Sequence, residues 1–292
     1  MSVTLEELYK FTPLGIRLWD PVFDRQISDA LTVSIHPLAS VDQKVYAYRT
    51  IGDVYTFSHI RGLWDIEFGL TQADAASPPD TRQYVVNISD RSRRYNEVSF
   101  LVGLPLPYQG VFLSNHNASP STTAPKGLYL YSSPMRVVPG WMALVRGELV
   151  NQSSGQPAAW ALLKLTAEGG ETHYGIADAK GRFIVMFAYP VLVEGFGGSP
   201  STPGHRPLSE QSWNLDLEVF YSPGSQISQP GSEVPDYVSI LTQQSADIWT
   251  EQPGPGVLAV AALPVQLEFR KAIIVRTEGL SALLVSPDES SP

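Results

Sequence analysis

The sequence contains no cysteine, which excludes disulfide bonds, thiolate metal sites and a cysteine nucleophile. Long apolar runs are also missing. The longest, residues 257–265, contains Pro264 and is far shorter than the roughly 20 residues that a membrane-spanning helix needs. The first residues have neither the basic region nor the apolar stretch of a secretory signal peptide. We therefore expect no transmembrane segment, no cleaved leader and a cytoplasmic location.

Basic residues are missing from one long stretch. The chain has a net charge of −9, and no Lys or Arg lies between Arg206 and Arg270. Eight acidic residues lie there: Glu210, Asp216, Glu218, Glu233, Asp236, Asp247, Glu251 and Glu268. Nucleic acid is disfavoured as a partner, because binding its backbone requires a basic surface. This acidic segment is either a docking face for a basic partner or a solvated face that keeps the protein soluble.

Helical patterns are scarce, whereas turn residues are abundant. The chain has 23 Gly and 24 Pro among 292 residues, a content that favours turns and short strands over long helices. Hydrophobic residues make up 43% of the sequence, which indicates packed cores rather than disorder. The length is sufficient for two domains. We predict an all-β fold of two β-sandwich domains, with an irregular N-terminal arm and long loops.

Residues 141–189 carry the clearest pattern. Short apolar runs alternate with polar turn residues, as in a small antiparallel β-sandwich. The segment 178–181, Asp-Ala-Lys-Gly, predicts a type I turn, because Asp bonds the following backbone and Gly accepts a positive φ. A strand with one buried face is predicted beyond the turn. Its large apolar side chains are Phe183, Val185, Phe187 and Tyr189.

The same stretch resembles a known family. It reads Gly147-Glu-Leu-Val, then Ser154-Gly155-Gln-Pro-Ala158, then Ala177-Asp178-Ala-Lys-Gly181-Arg-Phe183. This pattern is similar to a carboxypeptidase-regulatory-like domain, a transthyretin-like sandwich, although Ala177 stands where the family has Thr. The resemblance covers about residues 140–222. It implies a fold more than an activity, because such domains are usually non-catalytic modules.

The remaining chain divides around this domain. Residues 1–30 are predicted to be an arm that packs on its own domain or reaches a neighbour. Residues 31–133 are predicted to form the N-terminal sandwich. Residues 223–292 are predicted to be a linker and C-terminal strands that complete one of the two sandwiches. The strands expected in the N-terminal sandwich are 31–35, 45–49, 54–57, 63–68, 84–88, 98–102 and 128–131.

A second resemblance lies in the N-terminal half. The segments His59-Ile-Arg-Gly-Leu-Trp-Asp-Ile-Glu-Phe-Gly69 and Val86-Asn-Ile-Ser-Asp90, with Val102-Gly-Leu-Pro105, resemble accessory proteins of phage-tail-like contractile injection systems. Those proteins then carry a carboxypeptidase-regulatory-like domain. Residues 93–96, Arg-Arg-Tyr-Asn, depart from the Gly-Arg-Phe-Leu of the pattern. The resemblance spans about residues 30–222 and implies a bacterial, baseplate-associated subunit.

No residue pattern predicts catalysis, and we nominate no catalytic, cofactor-binding or metal-binding residue. The histidines are His36, His59, His116, His173 and His205, and no two are closer than 23 residues. None belongs to a metal-binding motif, and neither a phosphate loop nor a nucleophile elbow occurs. Asp65 and Glu67 are predicted to lie on one strand face, where we expect them to be solvated. The chain is therefore expected to be non-enzymatic and to need no cofactor.

Three groups of residues are candidates for binding, each with a plainer alternative. Trp141, Trp160 and Trp213 fall on predicted strands and either stack on sugar rings or pack in the core. Arg91, Arg93 and Arg94 either engage an acidic partner or belong to a solvated hairpin, since two acids flank them. The loop 190–207, rich in Gly and Pro, is the expected site of an exposed contact.

The hypothesis from the sequence is a structural protein. We expect a non-enzymatic, baseplate-associated subunit of a phage-tail-like contractile injection system. Its partners would be other subunits of a large multiprotein particle, present in multiple copies, and it would be cytoplasmic as part of that particle. The alternative is a free carbohydrate- or protein-binding β-sandwich module. The neighbouring subunit, the copy number and the contact surface are left open.

Overall fold

A computed structural model describes residues 12–29, 31–67, 81–105, 126–190 and 211–287 of the chain, with the backbone alone for Asp65 and Ile66. Within these residues the protein is almost entirely β, so the predicted all-β class is confirmed. The strands are β1 Gly15–Asp20, β2 Arg25–Gln26, β3 Thr32–Pro37, β4 Val45–Tyr46, β5 Tyr48–Arg49, β6 Val54–Thr56, β7 Arg82–Ser89, β8 Val98–Leu104, β9 Leu128–Tyr129, β10 Met142–Asn151, β11 Leu162–Ala167, β12 Thr172–Ile176, β13 Arg182–Ala188, β14 Ser212–Phe220, β15 Ser245–Trp249, β16 Ala262–Glu268, β17 Ile273–Val275 and β18 Leu283–Pro287. Two short helices are α1 Trp64–Glu67 and α2 Tyr237–Leu241.

The chain forms two compact units, and each draws on separate stretches of sequence. The first unit takes residues from 1–91, 97–130 and 227–238. The second takes residues from 92–96, 131–226 and 239–292. The domain limits expected from the sequence stay predictions. Among the described residues, no helix combines the length and apolar character needed to cross a membrane.

The first unit contains two sheets among its described residues. One is antiparallel, in the order β4-β3-β7-β8, and the other runs β2-β1-β6-β5, with β9 parallel to β1. Strand β7 supplies the apolar centre of its sheet, because Tyr84, Val85 and Val86 are almost fully buried. This agrees with strands predicted at 31–35, 45–49, 54–57, 84–88, 98–102 and 128–131, except that 45–49 divides into β4 and β5.

Strand β1 lies in the part of the chain predicted to be an irregular arm. Its alternation is regular in the structure, with Ile16, Leu18 and Asp20 buried. The third of these is an acid, and its carboxylate accepts a hydrogen bond from the Val22 amide at 3.0 Å. A carboxylate at a buried position breaks the apolar period that identifies a strand in sequence. This is why the strand was not predicted.

The strand predicted at 63–68 is wrong, because residues 64–67 form helix α1. The Glu67 amide donates to the Leu63 carbonyl at 2.9 Å. Its carboxylate accepts the His59 amide at 2.6 and 2.8 Å, and the side chain is fully buried. The prediction that this acid is solvated is therefore also wrong. A carboxylate that closes a loop on a backbone amide favours the turn over a strand.

Residues 227–238, which we call the edge segment, return from the C-terminal half of the chain to the first unit. Ser99 of β8 forms a parallel bridge with Asp236. The Asp236 carboxylate accepts the Leu101 amide at 3.0 Å, and the Tyr237 hydroxyl donates to the Tyr129 carbonyl at 2.7 Å. The segment thus covers an edge strand, whose open hydrogen-bonding groups would otherwise invite pairing with another chain.

The second unit is built on a nine-stranded sheet, counted within the described residues. The order is β12-β11-β14-β15-β18-β10-β13, with β16 on β14 and β17 on β10. The C-terminal strands therefore belong with the predicted regulatory-like stretch, a choice that the sequence left open. The core is a continuous apolar cluster that includes Val145, Leu149, Leu163, Leu165, Phe183, Val185, Leu215, Leu217, Ile248 and Leu283.

In the second unit the predicted turn at 178–181 is present, and the strand predicted after it is more buried than expected. Asp178 accepts the amides of Lys180 and Arg182 at 2.8 and 3.0 Å, and Gly181 has a φ of +74°, as the predicted turn requires. In β13 the intervening residues Ile184 and Met186 are also buried. This strand is therefore covered on both faces rather than on one.

Candidate functional site

The described histidines lie in different local settings. His36 is buried in β3, and its Nδ1 lies 3.0 Å from the Pro37 carbonyl. His59 sits in a turn with a φ of +60°, and His173 lies on β12. His116 and His205 fall outside the described residues. Across the part of the chain that the structure describes, no three His, Asp or Glu side chains lie close enough to hold a metal ion.

Three of the buried acids accept hydrogen bonds from backbone amides. Glu67 accepts the His59 amide, and Asp20 accepts the Val22 amide. Asp236 accepts the Leu101 and Val238 amides at 3.0 and 3.1 Å. These bonds satisfy carboxylates that would be costly to bury alone. Each of the three acids therefore has a structural task in its own loop or strand edge.

His173 lies on β12 and packs against an aromatic ring of β13. Its ring stacks on Phe187 with centroids 4.4 Å apart and an interplanar angle of 16°. Burial lowers the pKa of His173, and the Glu171 carboxylate, 3.7 Å from Nε2, opposes this only in part. The neutral ring is therefore the form that the fold favours.

We expect His173→Phe to flatten the pH dependence of stability. Because the pKa is lowered on folding, the unfolded chain binds the proton more tightly, and stability falls as the pH drops below about 6.5. Phe keeps the stacking on Phe187 and has no proton to bind. Urea midpoints at about pH 7.5 and about pH 5.5 should differ less for the variant. An equal difference in both proteins would contradict the expectation.

The arginine cluster is partly used by the second unit. Arg94 lies with its guanidinium 5.5 Å from the centre of the buried Tyr95 ring, and Arg136 lies 4.7 Å from the same ring. Arg93 has a φ of +54° and is exposed, as is Arg91. A binding role for the cluster stays a prediction, and only two of its three arginines are exposed.

The acidic segment is divided between the two units. Glu233 and Asp236 belong to the first unit, whereas residues 239–268 belong to the second. On the second unit, Glu218 pairs with Lys164 at 2.6 Å across neighbouring strands, and this bond raises the pKa of Lys164. A docking role for these acids stays a prediction. Glu210 and the loop from residue 191 to 207 lie outside the described residues.

The three tryptophans lie in different environments. Trp213 begins β14 and packs against Tyr189, with ring centroids 5.3 Å apart. Trp160 is in a turn before β11 with a φ of +61°, so its predicted strand position is wrong. Trp141 comes directly before β10, and 62% of it is exposed. Of the three, Trp141 departs furthest from the expected role in a core.

Trp141 ends a short segment whose large apolar side chains point away from the core. In residues 133–142, which we call the apolar turn segment, Met135 is 58% exposed and Val137 is 87% exposed. The three side chains lie within seven residues of each other. Scattered exposed apolar residues are ordinary, so it is their grouping in one short segment that makes this place a candidate contact.

Local hydrogen bonds fix the backbone of the apolar turn segment. The Arg136 amide donates to the Ser133 carbonyl at 2.9 Å, and the Met135 amide donates to the Ser133 hydroxyl at 3.2 Å. At the other end, the Met142 amide donates to the Pro139 carbonyl at 3.0 Å. Proline at 134 and 139 restricts the backbone further. Because the backbone of the segment is already fixed, it loses little conformational entropy when a partner binds the exposed side chains.

Arg136 holds the apolar turn segment against other residues of the second unit. Its Nη1 donates to the Ser132 hydroxyl at 3.0 Å, and its guanidinium lies over the Tyr95 ring. Arg136, which lies between two exposed apolar residues, thus points inward, whereas arginine side chains are mostly exposed. The sequence signal for this surface was the pair of prolines around Met-Arg-Val-Val, which excludes a central strand there.

The chain was compared with known proteins. No family model matches it, and no curated protein matches it. Among solved structures, the shaft pilin SpaA of Lactobacillus rhamnosus GG is similar at 10% identity and a TM-score of 0.23, over 95% of this chain and 99% of the pilin. A putative adhesin of Bacteroides ovatus is 7% identical with a TM-score of 0.24, over 99% and 100%. Likeness at these scores is too weak to bear on fold or function.

Proposed function

We propose that this protein is a structural subunit of a multiprotein particle and that the apolar turn segment contacts a neighbouring subunit. The observation that supports this is the exposure of Met135, Val137 and Trp141 on a fixed backbone. Aromatic and Met side chains are enriched at the centre of protein interfaces, where charged residues are depleted. The partner would present an apolar surface at its centre.

The proposed role is non-enzymatic. Three buried acids, Asp20, Glu67 and Asp236, accept backbone amides. A general acid or base needs access to a substrate proton. These carboxylates are instead committed to holding loops and a strand edge.

We further propose that the particle is a phage-tail-like contractile injection system and that the subunit is associated with its baseplate. The resemblance of residues 59–105 to accessory proteins of such systems supports this. The order of the two sequence patterns, with residues 147–183 second, supports it as well. An all-β chain with a fixed apolar contact is suited to such an assembly.

Purification of the assembled particles from the native host tests the proposal. Particles are sedimented, and their proteins are identified by mass spectrometry. The chain should co-sediment with sheath and tube proteins in a constant ratio across preparations. If it never appears in those fractions while sheath and tube do, the assignment to an injection particle is wrong.

The contact itself is tested by Val137→Asp. A carboxylate at the most exposed position of the segment would have to be buried against an apolar partner, which is costly. We expect incorporation into particles to fall by about tenfold or more, which corresponds to about 1.4 kcal/mol. Leu258→Asp is the matched control, because Leu258 is 82% exposed in the same unit but outside the segment. Equal incorporation of the two variants would contradict the proposed contact.

A free carbohydrate- or protein-binding module is the second candidate, and the exposed Trp141 ring favours it. The side chain is 62% exposed, and exposed aromatic rings stack on sugar rings. A glycan array with the wild-type protein and Trp141→Ala separates the two candidates. Binding that the variant loses would support the module, and an array without signal would remove its carbohydrate form.

A further inference from the structure

The first unit has an open groove that the proposed contact does not use. Its volume is about 540 Å³, within the range of sites that hold a ligand or a peptide side chain. It lies where the end of β3 pairs with the start of β7, through the pair Pro37 and Tyr84. Leu38 and Ala39 extend an apolar wall, and Arg61 and Arg82 supply charge.

Arg82 is held in place by the loop that faces it. Its Nη1 donates to the Gly62 carbonyl. A Cβ added at residue 62 would lie 2.5 Å from that nitrogen, so glycine is what lets the guanidinium sit so close. Arginine has five N–H groups, and this bond to Gly62 uses one of them. A guanidinium fixed in this way is prepared to bind a second oxygen group.

Tyr84 forms a rigid floor that also holds Arg61. Its ring is buried, and its hydroxyl donates to the Arg61 carbonyl at 2.8 Å. The Arg61 backbone is thus fixed while its side chain stays exposed. The bond uses the main-chain carbonyl, so a change of the Arg61 side chain leaves it intact.

The charge of the groove is opposite to that of the protein. The chain has a net charge of −9, yet among the described residues that line the groove there are two arginines and no acid. Within the described part of the chain, neither guanidinium forms an ion pair. Arginine binds carboxylates with paired hydrogen bonds, and such bonds are stronger than those between neutral groups.

We propose that this groove binds a carboxylate of an acidic peptide segment on a partner protein, through Arg61 and Arg82. The neighbouring methylene groups of the acidic residue would lie against Pro37 and Leu38. A nucleic acid is a poorer fit, because two arginines in one groove do not make the basic stripe that binding its backbone requires. The site would give a second contact, separate from the apolar turn segment.

A binding assay on the full chain tests the groove. A fluorescein-labelled hexaglutamate peptide is titrated with protein, and its anisotropy is recorded at low salt. We expect saturable binding that weakens between about 50 and about 300 mM salt, with a hexalysine peptide giving no saturable signal. Equal binding of both peptides would overturn the proposal.

Substitutions locate the binding. Arg61→Ala should weaken hexaglutamate binding by about tenfold, the effect of losing a charged hydrogen-bonded pair of about 1.4 kcal/mol. Arg17→Ala removes an exposed arginine of the same unit outside the groove, and it should bind within about twofold of wild type. If Arg61→Ala binds like wild type, the groove is not the site.

A small molecule with a free carboxylate is the other ligand that the two arginines would bind in the same way. Succinate is added as a competitor at the same carboxylate concentration as unlabelled hexaglutamate. Displacement by the peptide alone supports a protein partner, whereas equal displacement by succinate would overturn the assignment to a peptide. Because Val137→Asp should leave this binding unchanged, failure of the groove and failure of the particle contact are distinguishable.

Discussion

Gly181→Ala should destabilise the second unit by on the order of 3 kcal/mol. The residue has a φ of +74°, which costs any residue with a Cβ about 1–2 kcal/mol. The added Cβ would also lie 2.3 Å from the Leu149 carbonyl oxygen. That carbonyl cannot move aside easily, because it accepts a hydrogen bond from the Ala158 amide at 2.9 Å. The Leu149 amide is also held, since it donates to the Gly181 carbonyl at 2.8 Å.

Gly155→Ala is the matched control for the close contact. Gly155 has a similar φ of +69°, but nothing lies within 4 Å of the position that its Cβ would take. It should therefore lose only about 1–2 kcal/mol, the conformational cost. Urea unfolding followed by tryptophan fluorescence measures both variants. If they are equally destabilised, the contact with Leu149 is not what requires glycine at 181.

Asp236→Ala should open the edge of the first unit that the edge segment covers. The carboxylate accepts the Leu101 and Val238 amides and lies 3.3 Å from the Gln229 side-chain nitrogen. Its removal leaves two part-buried amides and the buried Gln229 side chain without their partner, at a cost of up to about 1–3 kcal/mol each. The exposed edge of β8 would then be available for pairing between molecules, so we also expect aggregation.

Hydrogen exchange locates the effect of Asp236→Ala. The amides of residues 98–104 and 227–238 should exchange faster, while those of β14 in the other unit should keep their protection. Glu233→Ala is the control, because it removes the same charge from an exposed position of the edge segment. Asp236→Asn retains one acceptor oxygen and should be intermediate. Uniform loss of protection in both units would show that the carboxylate acts on global stability rather than on this edge.

Part of the fold could be read from local chemistry. The Asp178 turn was predicted because an Asp side chain and a glycine with positive φ act within four residues. The alternation of strand β14 can also be read from the sequence, because alternate residues of a strand face opposite sides. Leu215, Leu217 and Val219 are buried as that alternation requires. Both features depend on neighbours in the chain.

Two misassigned elements each depend on one buried carboxylate. Residues 63–68 alternate like a strand, yet Glu67 binds the His59 amide and a helical turn forms instead. Strand β1 was missed because a buried acid, Asp20, interrupts its apolar pattern. In each element a single carboxylate is satisfied by a backbone amide, and a pattern of hydrophobicity does not show such bonds.

Sequence patterns could predict little of the two candidate sites. Prolines at 134 and 139 are visible in the sequence and restrict the backbone there, but the exposure of Val137 accompanies the placement of Arg136 over the Tyr95 ring. The groove joins Arg61 and Arg82, which lie 21 positions apart, through the bond to Gly62. Neither arrangement has a periodic signature.

The sequence by itself determined an all-β chain without disulfides and the turn at 178–181. These follow from composition, from the two-residue period of a strand and from turn chemistry, all of which act between near neighbours. Only the tertiary structure decided that residues 227–238 cover β8 and that the C-terminal strands join the sheet of β10. Such choices pair residues far apart in the chain, as Ser99 with Asp236. They are settled by which strand edge must be covered and which apolar face must be buried.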